Sequence, residues 1–464
     1  MKRSNLLLLA ALAAASFSSA AATLCVNPGG TGGCFARIGD AVGSAAPGDT
    51  VSVAAGTYNE GGIFIGQDVD IRGAGADVTI VDGTVGGANG PAIFSYPNDF
   101  PPVHNTISGL TIMHGTRGVH VGRFNDVTLD RVHVTLNGPL TGAGVFNNAS
   151  VLHVTRSLID RNSATDLADA AGCDWGGGSG GGIASLCGSA SNFISQSTIA
   201  NNVAARWGGG VIVNDGTTVI ENSTLAGNEA NFADGALDGS ALFVGGAFPD
   251  VTLKYATVAG NKAGFAGGGA IVGDGHVKLY ATLLQSNAGG DCMSGATITS
   301  LGYNMGGDGT CPLGAAGDVA STDAGLQSLA DNGGDTPTMA LLATSPAVDY
   351  IPSDLCNEAV DQDGVARPQH GSCDVGAFER VWTTRDFSNL LLAQIVGPNI
   401  PAGFASEASA FIAMILRGQP RVACRVLPNL AGNIQNLATH GRIPAQRAAG
   451  IVQTIEGLEG SIGC

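Results

Sequence analysis

Three stretches of this chain repeat one pattern: STIANNVAARWGGG at 197–210, STLAGNEANFADG at 223–235 and ATVAGNKAGFAGGG at 256–269. An asparagine recurs at the same place in each, and counted along the chain the series is Asn137, Asn162, Asn202, Asn228 and Asn261. Successive members are 25, 40, 26 and 33 residues apart, and the two long steps contain inserted loops. Without those loops the period lies in the mid-twenties, which predicts a solenoid of stacked repeats.

Short runs of alternating apolar residues fill each repeat, as in VTLDRVHVTL at 127–136 and HVKLYATLL at 276–284. Alternation is the period of a strand, and glycine, asparagine or aspartate ends nearly every run. Three short strands and three turns fit one repeat, so each repeat can form one coil of an all-β β-helix. Successive coils would then stack at roughly 4.8 Å, the ordinary spacing between strands.

The repeated asparagines are interpreted as scaffolding rather than chemistry. A coil corner needs a left-handed residue, which asparagine tolerates better than other non-glycine residues. Stacked coils place each amide over the next and so predict a hydrogen-bonded ladder. A threonine recurs shortly before each corner, in the series Thr198, Thr224, Thr257 and Thr282. The alternative is a row of asparagines that binds a ligand.

A β-helix has two open ends whose unpaired backbone must be covered. The sequence CFARIGDAVGSAAPGD at 34–49 predicts a capping helix for the first end. Its apolar residues share one helical face, and Pro47-Gly48 stops it; these residues are Phe35, Ile38, Ala41 and Val42. Residues 331–380 are the candidate cover for the final coils.

The first residues, MKRSNLLLLAALAAASFSSAAAT, have the features of a secretory signal: a basic pair, a short apolar run and small residues. Cleavage is expected near Thr23, which makes residues 1–22 a signal peptide. No later stretch reaches the roughly 20 apolar residues that a membrane helix needs. We therefore expect an exported product without a transmembrane segment, either secreted or at the cell surface.

Ten cysteines follow the signal, and an even number in an exported chain indicates disulfides. In an elongated stack distant segments never meet, so each cysteine is expected to pair with its neighbour in sequence. The predicted pairs are Cys25 with Cys34, Cys173 with Cys187, Cys292 with Cys311, Cys356 with Cys373, and Cys424 with Cys464.

Charge is unevenly distributed in a chain whose formal net charge is −17. From Thr23 to Glu379 there are 12 Lys and Arg against 34 Asp and Glu, a net of −22. From Arg380 to Cys464 there are 7 against 4, a net of +3. An acidic body repels nucleic acid and anionic lipid, so we expect no nucleic-acid partner.

Specific motifs resemble known families. APGDTVSVAAGTYNEGGIFIGQDVDIRGAG at 46–75 is similar to the first coils of right-handed parallel β-helix proteins of the pectate-lyase-like superfamily, a resemblance that extends over 35–330. GGDCMSGATITSLGYNMGGDG at 289–309, DNGGDTPTMALLATSPAVDY at 331–350 and DQDGVARPQHGSCDVGAFE at 361–379 resemble the bacterial choice-of-anchor Q domain, over roughly 190–380. The resemblance implies a right-handed parallel β-helix that is exported, with a variable C-terminal anchor.

Five regions are predicted from these signals. They are the signal peptide at 1–22, the N-terminal cap at 23–49, the right-handed parallel β-helix at 50–330, a choice-of-anchor Q-like C-terminal cap at 331–380, and a helical tail at 381–464. The tail departs from the family because it has no LPxTG-type or PEP-type sorting signal. It is either a small helical cap or domain, or a module that docks a protein partner or the cell envelope.

Candidates for catalysis are weak. Polygalacturonase-like hydrolysis needs paired carboxylates, and the GHG and RIK motifs of that family do not occur. Pectate-lyase-like elimination needs an Arg or Lys base beside carboxylates that hold calcium. The most polar cluster is His114, Arg117, His120, Arg123, Asp126 and Asp130, but solvated turn residues give the same pattern. No cofactor is predicted, and calcium is only a weak candidate, because DQDG at 361–364 lacks the other ligands of a calcium loop.

The insertion at 164–187 is the candidate for ligand binding. Aromatic rings with nearby carboxylates can hold a neutral glycan, and the residues concerned are Asp166, Asp169, Asp174, Trp175 and Trp207. The alternative is that the tryptophans cover apolar edges of their own loops. In the cap motif, Asp374, Glu379 and Arg367 are expected to pair with one another.

These observations favour an exported, non-catalytic surface or secreted protein that recognises glycan or cell-envelope material. One alternative is a polysaccharide lyase or glycoside hydrolase. The other is a purely structural spacer.

Overall fold

The computed structural model describes residues 21–85, 94–96, 102–169, 177–188, 190–231, 239–264, 268–293, 295–395, 399–418 and 420–464. Within these ranges, corresponding strands of successive coils pair in parallel and build a right-handed parallel β-helix. The helices lie near the two ends of the chain. None of those described is long and apolar enough to cross a membrane.

Three long sheets form the sides of the β-helix. Sheet 1 contains the strands Thr23–Val26, Asp49–Val53, Val69–Gly73, His104–Ser108, Asp126–Asp130, Val151–Thr155, Ser191–Ser195, His276–Tyr280 and Thr297–Gly302. Sheet 2 contains Gly56–Asn59, Thr79–Asp82, Thr111–Met113, His133–Thr135, Leu158–Asp160, Thr198–Ala200, Leu283–Gln285 and Met305–Gly306. Sheet 3 contains Ile63–Phe64, Phe94–Ser95, Val119–Val121, Val145–Asn148, Ile183–Leu186 and Gly269–Gly273.

Two long strands join the sheets. Val211–Ala226 and Gly239–Ala259 each run through sheet 3, sheet 1 and sheet 2 in turn. Four short strands after sheet 2 form a further small sheet, namely Ser163–Ala164, Val203–Ala204, Glu229–Ala230 and Lys262–Ala263. One antiparallel pair, Ile351–Pro352 with Ser372–Cys373, lies outside the solenoid.

Side chains along each strand point alternately into the coil and outward, which explains the alternating sequence. In strand Asp126–Asp130 the inward residues are Val127 and Leu129, and both are fully buried. The register aligns them with Leu152 and Val154 of the next coil. Like residues therefore stack into vertical apolar rows that form the core.

A ladder of buried asparagines runs along the corner that follows sheet 2. Nδ2 of Asn162 donates to Oδ1 of Asn202 at 3.0 Å, and the backbone N–H of Asn162 donates to the same oxygen at 3.0 Å. The same pair of bonds joins every step of the series Asn137, Asn162, Asn202, Asn228, Asn261 and Asn287. These amides are engaged with one another and with backbone carbonyls, which is a scaffolding role.

The sequence analysis predicted a left-handed backbone at these asparagines, and this prediction is wrong. Positive φ belongs to the residue before each of them, in the series Leu136, Arg161, Asn201, Gly227, Gly260 and Ser286. Four of these, Leu136, Arg161, Asn201 and Ser286, are exposed, so the left-handed position can hold varied side chains. The next position turns inward, where only an amide can both donate to and accept from its neighbours. The ladder ends where Asn287, a member that the repeat count missed, donates to Asp291 at 2.8 Å.

Helix α1, Ile38–Ser44, packs against the first coils. Ile38, Ala41 and Val42 are buried, as their spacing predicts. Glu60 satisfies the start of the helix, because Oε1 accepts the backbone N–H of Ile38 at 2.6 Å. A buried carboxylate at this helix end also interacts favourably with the helix dipole.

Phe35 was predicted on the same helical face, but it precedes the helix. It forms a parallel bridge with Val26 of the first strand. The disulfide between Cys25 and Cys34 holds the two segments side by side, which is why the chain stays extended there.

Residues 331–380, called the flank segment below, lie lengthwise along sheet 2 and its corner with sheet 1. Towards one end, Oδ2 of Asp335 accepts from Nε of Arg131 at 3.0 Å. Towards the other, the backbone N–H of Ala377 donates to Oγ1 of Thr257 at 3.0 Å. The sequence analysis assigned this segment to the final coils. The structure instead extends it back along the β-helix to the coil that contains Arg131.

A row of outward threonines on sheet 2 provides the hydroxyls on which the flank segment docks. The register aligns on successive coils Thr198, Thr224 and Thr257. Nε2 of Gln362 donates to Thr198 at 2.7 Å, and Thr224 donates to Oε1 of Gln362 at 2.7 Å. Thr282, predicted in this row, is outside it because Leu283 aligns with Thr257.

A buried ion pair holds the flank segment together. Nη1 of Arg367 lies 2.9 Å from Oε2 of Glu379, as predicted, and both side chains are fully buried. The carboxylate of Asp374 instead accepts the backbone N–H groups of Asp349 and Arg380. Burial raises the pKa of Asp374 well above its usual value, and burial also raises the pKa of Glu379.

The tail forms helices α2 to α6, whose bounds are Thr384–Gln394, Ala402–Leu416, Pro420–Ala423, Leu427–Thr439 and Ala445–Ser461. They pack around their own apolar core, which includes Phe387, Leu391, Ile412, Leu430, Ile434, Ile451, Ile455 and Leu458. The tail contacts the flank segment, because Nε2 of Gln453 donates to the carbonyl of His370 at 2.9 Å.

Four predicted disulfides are present, and they join Cys25 to Cys34, Cys292 to Cys311, Cys356 to Cys373, and Cys424 to Cys464. Cys187 is also disulfide-bonded. Its predicted partner, Cys173, lies outside the described residues, as do residues 1–20 of the predicted signal peptide. The fifth pairing and the signal peptide stay predictions.

We expect Asn228→Ala to destabilise the protein by about 3 kcal/mol, because it leaves several buried backbone and amide groups without partners. Asn228 is fully buried and bonds to the asparagines above and below it. Thermal or denaturant unfolding of the purified protein measures this. Asn59→Ala, an exposed asparagine on a strand of sheet 2, is the control, and equal losses in both variants would contradict the ladder.

We expect Asp363→Asn to raise the melting temperature at pH 7 to 8 and to lose this advantage near pH 4. Burial, followed by the charges of Asp361 and Asp331, raises the pKa of Asp363 from 3.8 to about 6 against a lowering hydrogen bond from Thr338. The folded state thus binds this proton more tightly than the unfolded state. The protonated Asp363 carboxyl therefore stabilises the folded state fully below pH 3.8, and this contribution is lost as the pH rises through 6.

Melting curves across this pH range, with Asp354→Asn as the exposed control in the same segment, test the assignment. A difference between wild type and Asp363→Asn that does not vary with pH would contradict it.

Candidate functional site

The six weak catalytic candidates do not converge. His114 pairs with Asp82 beyond the end of a sheet 2 strand, where Nδ1 lies 3.1 Å from Oδ1. Arg123 reaches Asn148 at the end of sheet 3. The others divide between two sides, with Arg117 and His120 at sheet 3 and Asp126 and Asp130 on sheet 1. Consecutive residues of a coil turn a corner, so closeness in sequence does not place them on one side.

Arg117, His120 and Asp169 meet beside sheet 3. Nη2 of Arg117 lies 2.7 Å from Oδ2 of Asp169, and both side chains are largely buried. The same carboxylate oxygen accepts the backbone N–H of Thr141 at 2.8 Å. The ring of His120 packs edge-on against Phe146 at 5.1 Å. Burial, then the Arg117 charge, lowers the pKa of His120 to about 4, so this imidazole is neutral at pH 7.

Asp169, a predicted ligand-binding residue, is therefore committed to Arg117. Asp166 lies on the same insertion, and its Oδ1 accepts the backbone N–H of Ala168 at 2.9 Å. This bond forms a local turn and does not link Asp166 to the β-helix. Asp174 and Trp175 lie outside the described residues, so their predicted role stays a prediction.

Trp207 stacks on Phe243, with ring centroids 5.7 Å apart and an angle of 29° between the planes. Phe243 belongs to a vertical apolar stripe on the outer side of sheet 3, whose register joins Phe146, Ala184, Ile212, Phe243 and Val272. All five residues of the stripe are buried. Within the described residues, Trp207 covers part of this stripe, which agrees with the alternative that it shields an apolar edge.

The outer side of sheet 1 is different because it stays exposed near its centre. We call this surface the open face and define it by the outward residues of three adjacent strands, namely Asp126, Thr128, Asp130, Val151, His153, Thr155, Ser191, Phe193 and Ser195. None of the nine is buried.

An aromatic pair occupies the middle of the open face. His153 and Phe193 align on neighbouring strands, and their rings stack with centroids 5.0 Å apart at 14°. Phe193 is 39% exposed, so its ring is accessible to solvent. The two rings form a nearly flat platform that faces away from the core.

A carboxylate flanked by two imidazoles lies beside this platform. Oδ1 of Asp126 is 3.6 Å from Nε2 of His153, and Oδ2 is 3.5 Å from Nδ1 of His104. The three side chains come from three successive coils, which the register places next to one another. The open face thus combines an apolar platform with groups that donate and accept hydrogen bonds.

The far edge of the open face carries compensated charges. Oδ1 of Asp130 accepts from Nε and Nη2 of Arg156 at 3.0 and 2.6 Å. Arg131 bonds the other oxygen of Asp130 at 3.1 Å and also contacts Asp335 of the flank segment. This network fixes both arginines in place.

Sequence reasoning did not single out the platform. Neither His153 nor Phe193 is among the candidate residues of the sequence analysis. A signal was present, because both residues occupy the outward position of alternating strands, in VLHVT at 151–155 and SNFIS at 191–195. The two residues are 40 positions apart because a loop is inserted between their strands, and only the strand register brings their rings together.

The DQDG loop at 361–364 uses its carboxylates within the fold. Asp361 accepts the backbone N–H groups of Val365 and Glu379, both at 2.7 Å, and Asp363 accepts from Thr338. These oxygens are therefore engaged in shaping the flank segment. In the described ranges, no three His, Cys, Asp or Glu side chains are grouped as a metal ion requires.

Solved structures with a similar chain path include a pectate lyase, Pel9A, at 15% identity, over 78% of this chain and 97% of that one, with a TM-score of 0.47. A pectin methylesterase from Aspergillus niger matches at 15% identity over 61% and 91%, with a TM-score of 0.36. The pectin methylesterase PemA from Erwinia chrysanthemi matches at 10% identity over 60% and 92%, with a TM-score of 0.32. No family model and no curated protein matches the sequence. At such identities the likeness carries no residue of the site across.

We expect Asp169→Ala to destabilise the protein by about 3–5 kcal/mol, because it leaves the buried Arg117 charge without a partner. Asp166→Ala, on the same insertion, should cost less than about 1 kcal/mol because it removes one exposed turn bond. Melting temperatures of the two variants measure the difference. Equal stability would mean that Asp169 is free of a structural role and available to a ligand.

Proposed function

We propose that this protein is an exported, non-catalytic β-helix protein, secreted or held at the cell surface, that binds polysaccharide or other cell-envelope glycan through the open face. The observation that carries the proposal is the exposed stack of His153 on Phe193 beside the Asp126 carboxylate. Flat aromatic rings receive the apolar faces of sugars, and neighbouring carboxylate and imidazole groups bond to hydroxyls.

The shape of the open face supports binding of an extended polymer. The strands lie roughly 4.8 Å apart along the β-helix axis, and their outward side chains form regular columns. The column through the platform runs Thr106, Thr128, His153, Phe193, Val219, Thr252 and Lys278. Hydroxyl-bearing side chains lie on both sides of the two rings along this line, so one glycan chain can make contacts on several coils.

The geometry favours binding over hydrolysis. Asp126 and Asp130 are the two carboxylates of the open face, and they are four residues apart on one strand. Their backbones are thus roughly 13 Å apart, and the Asp130 carboxylate is already bonded to Arg131 and Arg156, so the two do not form the free acid and base pair that hydrolysis requires. For elimination, the nearby Arg156 already donates two hydrogen bonds to Asp130. A lyase or hydrolase is the alternative function, and turnover would be its signature.

Export is supported by the disulfides, which form in oxidising compartments. The signal-like N-terminus and the motifs at 289–309, 331–350 and 361–379, which resemble choice-of-anchor Q domains, support the same location. The tail, with its own core, is proposed to be a docking module. The other candidate location for glycan is the insertion, with Asp166, Asp174 and Trp175, together with Trp207; Asp169 of the insertion already pairs with Arg117.

We expect Phe193→Ala and His153→Ala each to weaken glycan binding at least tenfold, since stacking and excluded water account for about 1.5 kcal/mol or more. Binding is measured on a panel of neutral and acidic polysaccharides, by affinity electrophoresis or calorimetry. Phe64→Ala is the matched control, because Phe64 is an exposed phenylalanine on sheet 3.

Four outcomes separate the possibilities. Loss of glycan binding in Phe193→Ala and His153→Ala, but not in Trp207→Ala or Phe64→Ala, supports the proposal. Loss on Trp207→Ala instead moves the glycan site to the sheet 3 side. Release of reducing ends or unsaturated products, tested with and without calcium, identifies an enzyme. Absence of any binding on the panel contradicts recognition and favours a structural spacer.

A further inference from the structure

The junction between helices α3 and α5 exposes arginines together with aliphatic side chains. We call this surface the arginine patch and define it as Leu416, Arg417, Arg421, Val422 and Arg425. All five are exposed, with Leu416 at 55% and Val422 at 46%. Exposed aliphatic side chains grouped beside unburied cations give this surface both an apolar and a cationic character.

The charges of the patch are not neutralised within the described tail. Arg380, by contrast, pairs with Asp386 at 2.8 Å. Among the described residues no ion pair involves Arg417, Arg421 or Arg425. Because the body of the protein is strongly acidic, the patch is a local reversal of its charge.

The tail contains six arginines and no lysine. Guanidinium groups bind phosphate oxygens through two parallel hydrogen bonds, which an ammonium group cannot do. A surface that needed only positive charge for solubility would not require this choice. The exposed guanidinium groups of Arg417, Arg421 and Arg425 therefore provide the donors that a phosphate-bearing partner requires.

The patch is held in a fixed orientation. Ala423 and Leu427, which alternate with its residues, are fully buried in the core of the tail. The disulfide between Cys424 and Cys464 ties the same turn to the end of helix α6. Leu416 and Val422 cannot turn inward, because the positions beneath them are already occupied.

We propose that the arginine patch docks the tail on an anionic phospholipid surface. At the boundary between headgroups and acyl chains, guanidinium groups meet phosphates while short aliphatic side chains enter the apolar layer. A purely polyanionic polymer would leave Leu416 and Val422 exposed. The acidic body is repelled by the same surface, so contact is made by the tail alone and the open face stays accessible.

This inference rests on the docking role proposed for the tail and is independent of glycan binding by the open face. It is tested with the full-length mature protein and vesicles of phosphatidylglycerol mixed with phosphatidylcholine, against vesicles of phosphatidylcholine alone. Co-sedimentation should occur with the anionic vesicles only and should weaken as salt is raised.

Two charge-matched variants give the decisive comparison. Arg421→Gln/Arg425→Gln should weaken vesicle binding roughly 25-fold, at about fivefold for each arginine. Arg385→Gln/Arg442→Gln, which removes two exposed arginines elsewhere on the tail, should change it less than about twofold. Leu416→Ser/Val422→Ser should abolish the binding that persists at high salt. Polysaccharide affinity measured on the same samples should be unchanged, which also verifies folding.

Several results would overturn the inference. These are equal binding to neutral vesicles, equal losses in the two arginine pairs, or no sedimentation with anionic vesicles. Self-association that Arg421→Gln/Arg425→Gln abolishes would assign the patch to the acidic body of a second copy. Loss of polysaccharide affinity in the platform variants, with vesicle binding intact, separates this inference from the proposed function.

Discussion

The hydrogen bond from one asparagine amide to the next, repeated along the corner after sheet 2, sets the geometry on which the other features depend. Each amide bonds both the side chain and the backbone of its neighbour, so it fixes the vertical register of two coils at once. A coil that slipped by one residue would lose these bonds and turn its inward side chains outward. The ladder therefore keeps the apolar rows of the core aligned, and with them the outward columns. The platform of His153 and Phe193 exists because those columns are in register.

The three sides of the β-helix are covered to different extents by the rest of the chain. Sheet 2 is covered along much of its length by the flank segment, through a threonine row and the Gln362 amide. Sheet 3 carries an apolar stripe that is buried, with Trp207 as part of its cover. The centre of sheet 1 is left uncovered. This distribution is what makes the open face the candidate binding surface, since the fold has used the outward side chains of the other two sheets for its own stability.

The repeat period predicted the coils, the core alternation and the position of the ladder, because those features recur in every coil and need only local information. The four described disulfides were also predictable from local information, because each joins cysteines that are neighbours in sequence. The position of the flank segment was not predictable, because its contact with Arg131 joins residues 204 positions apart and no sequence pattern marks it. The left-handed corner residue was misassigned because the exposed position accepts leucine, arginine, serine or glycine alike. For the candidate site, residue types alone suggested six catalytic residues. The chain turns a corner of the coil between them, so they lie on three different sides of the β-helix. The contact between His153 and Phe193 could be predicted only from the strand register across an inserted loop.

The four described disulfides close loops of only 9, 17, 19 and 40 residues, so none of them links remote coils. A stack of this kind, in which each coil touches only its neighbours, would ordinarily unravel from either terminus one repeat at a time. The flank segment changes this behaviour, because it crosses the coils lengthwise from Arg131 to Ala281. Unfolding of one coil in this region also breaks its contacts with the flank segment, which packs against several other coils. The central coils should therefore melt together as one cooperative block, while the uncovered coils at the amino-terminal end fray first.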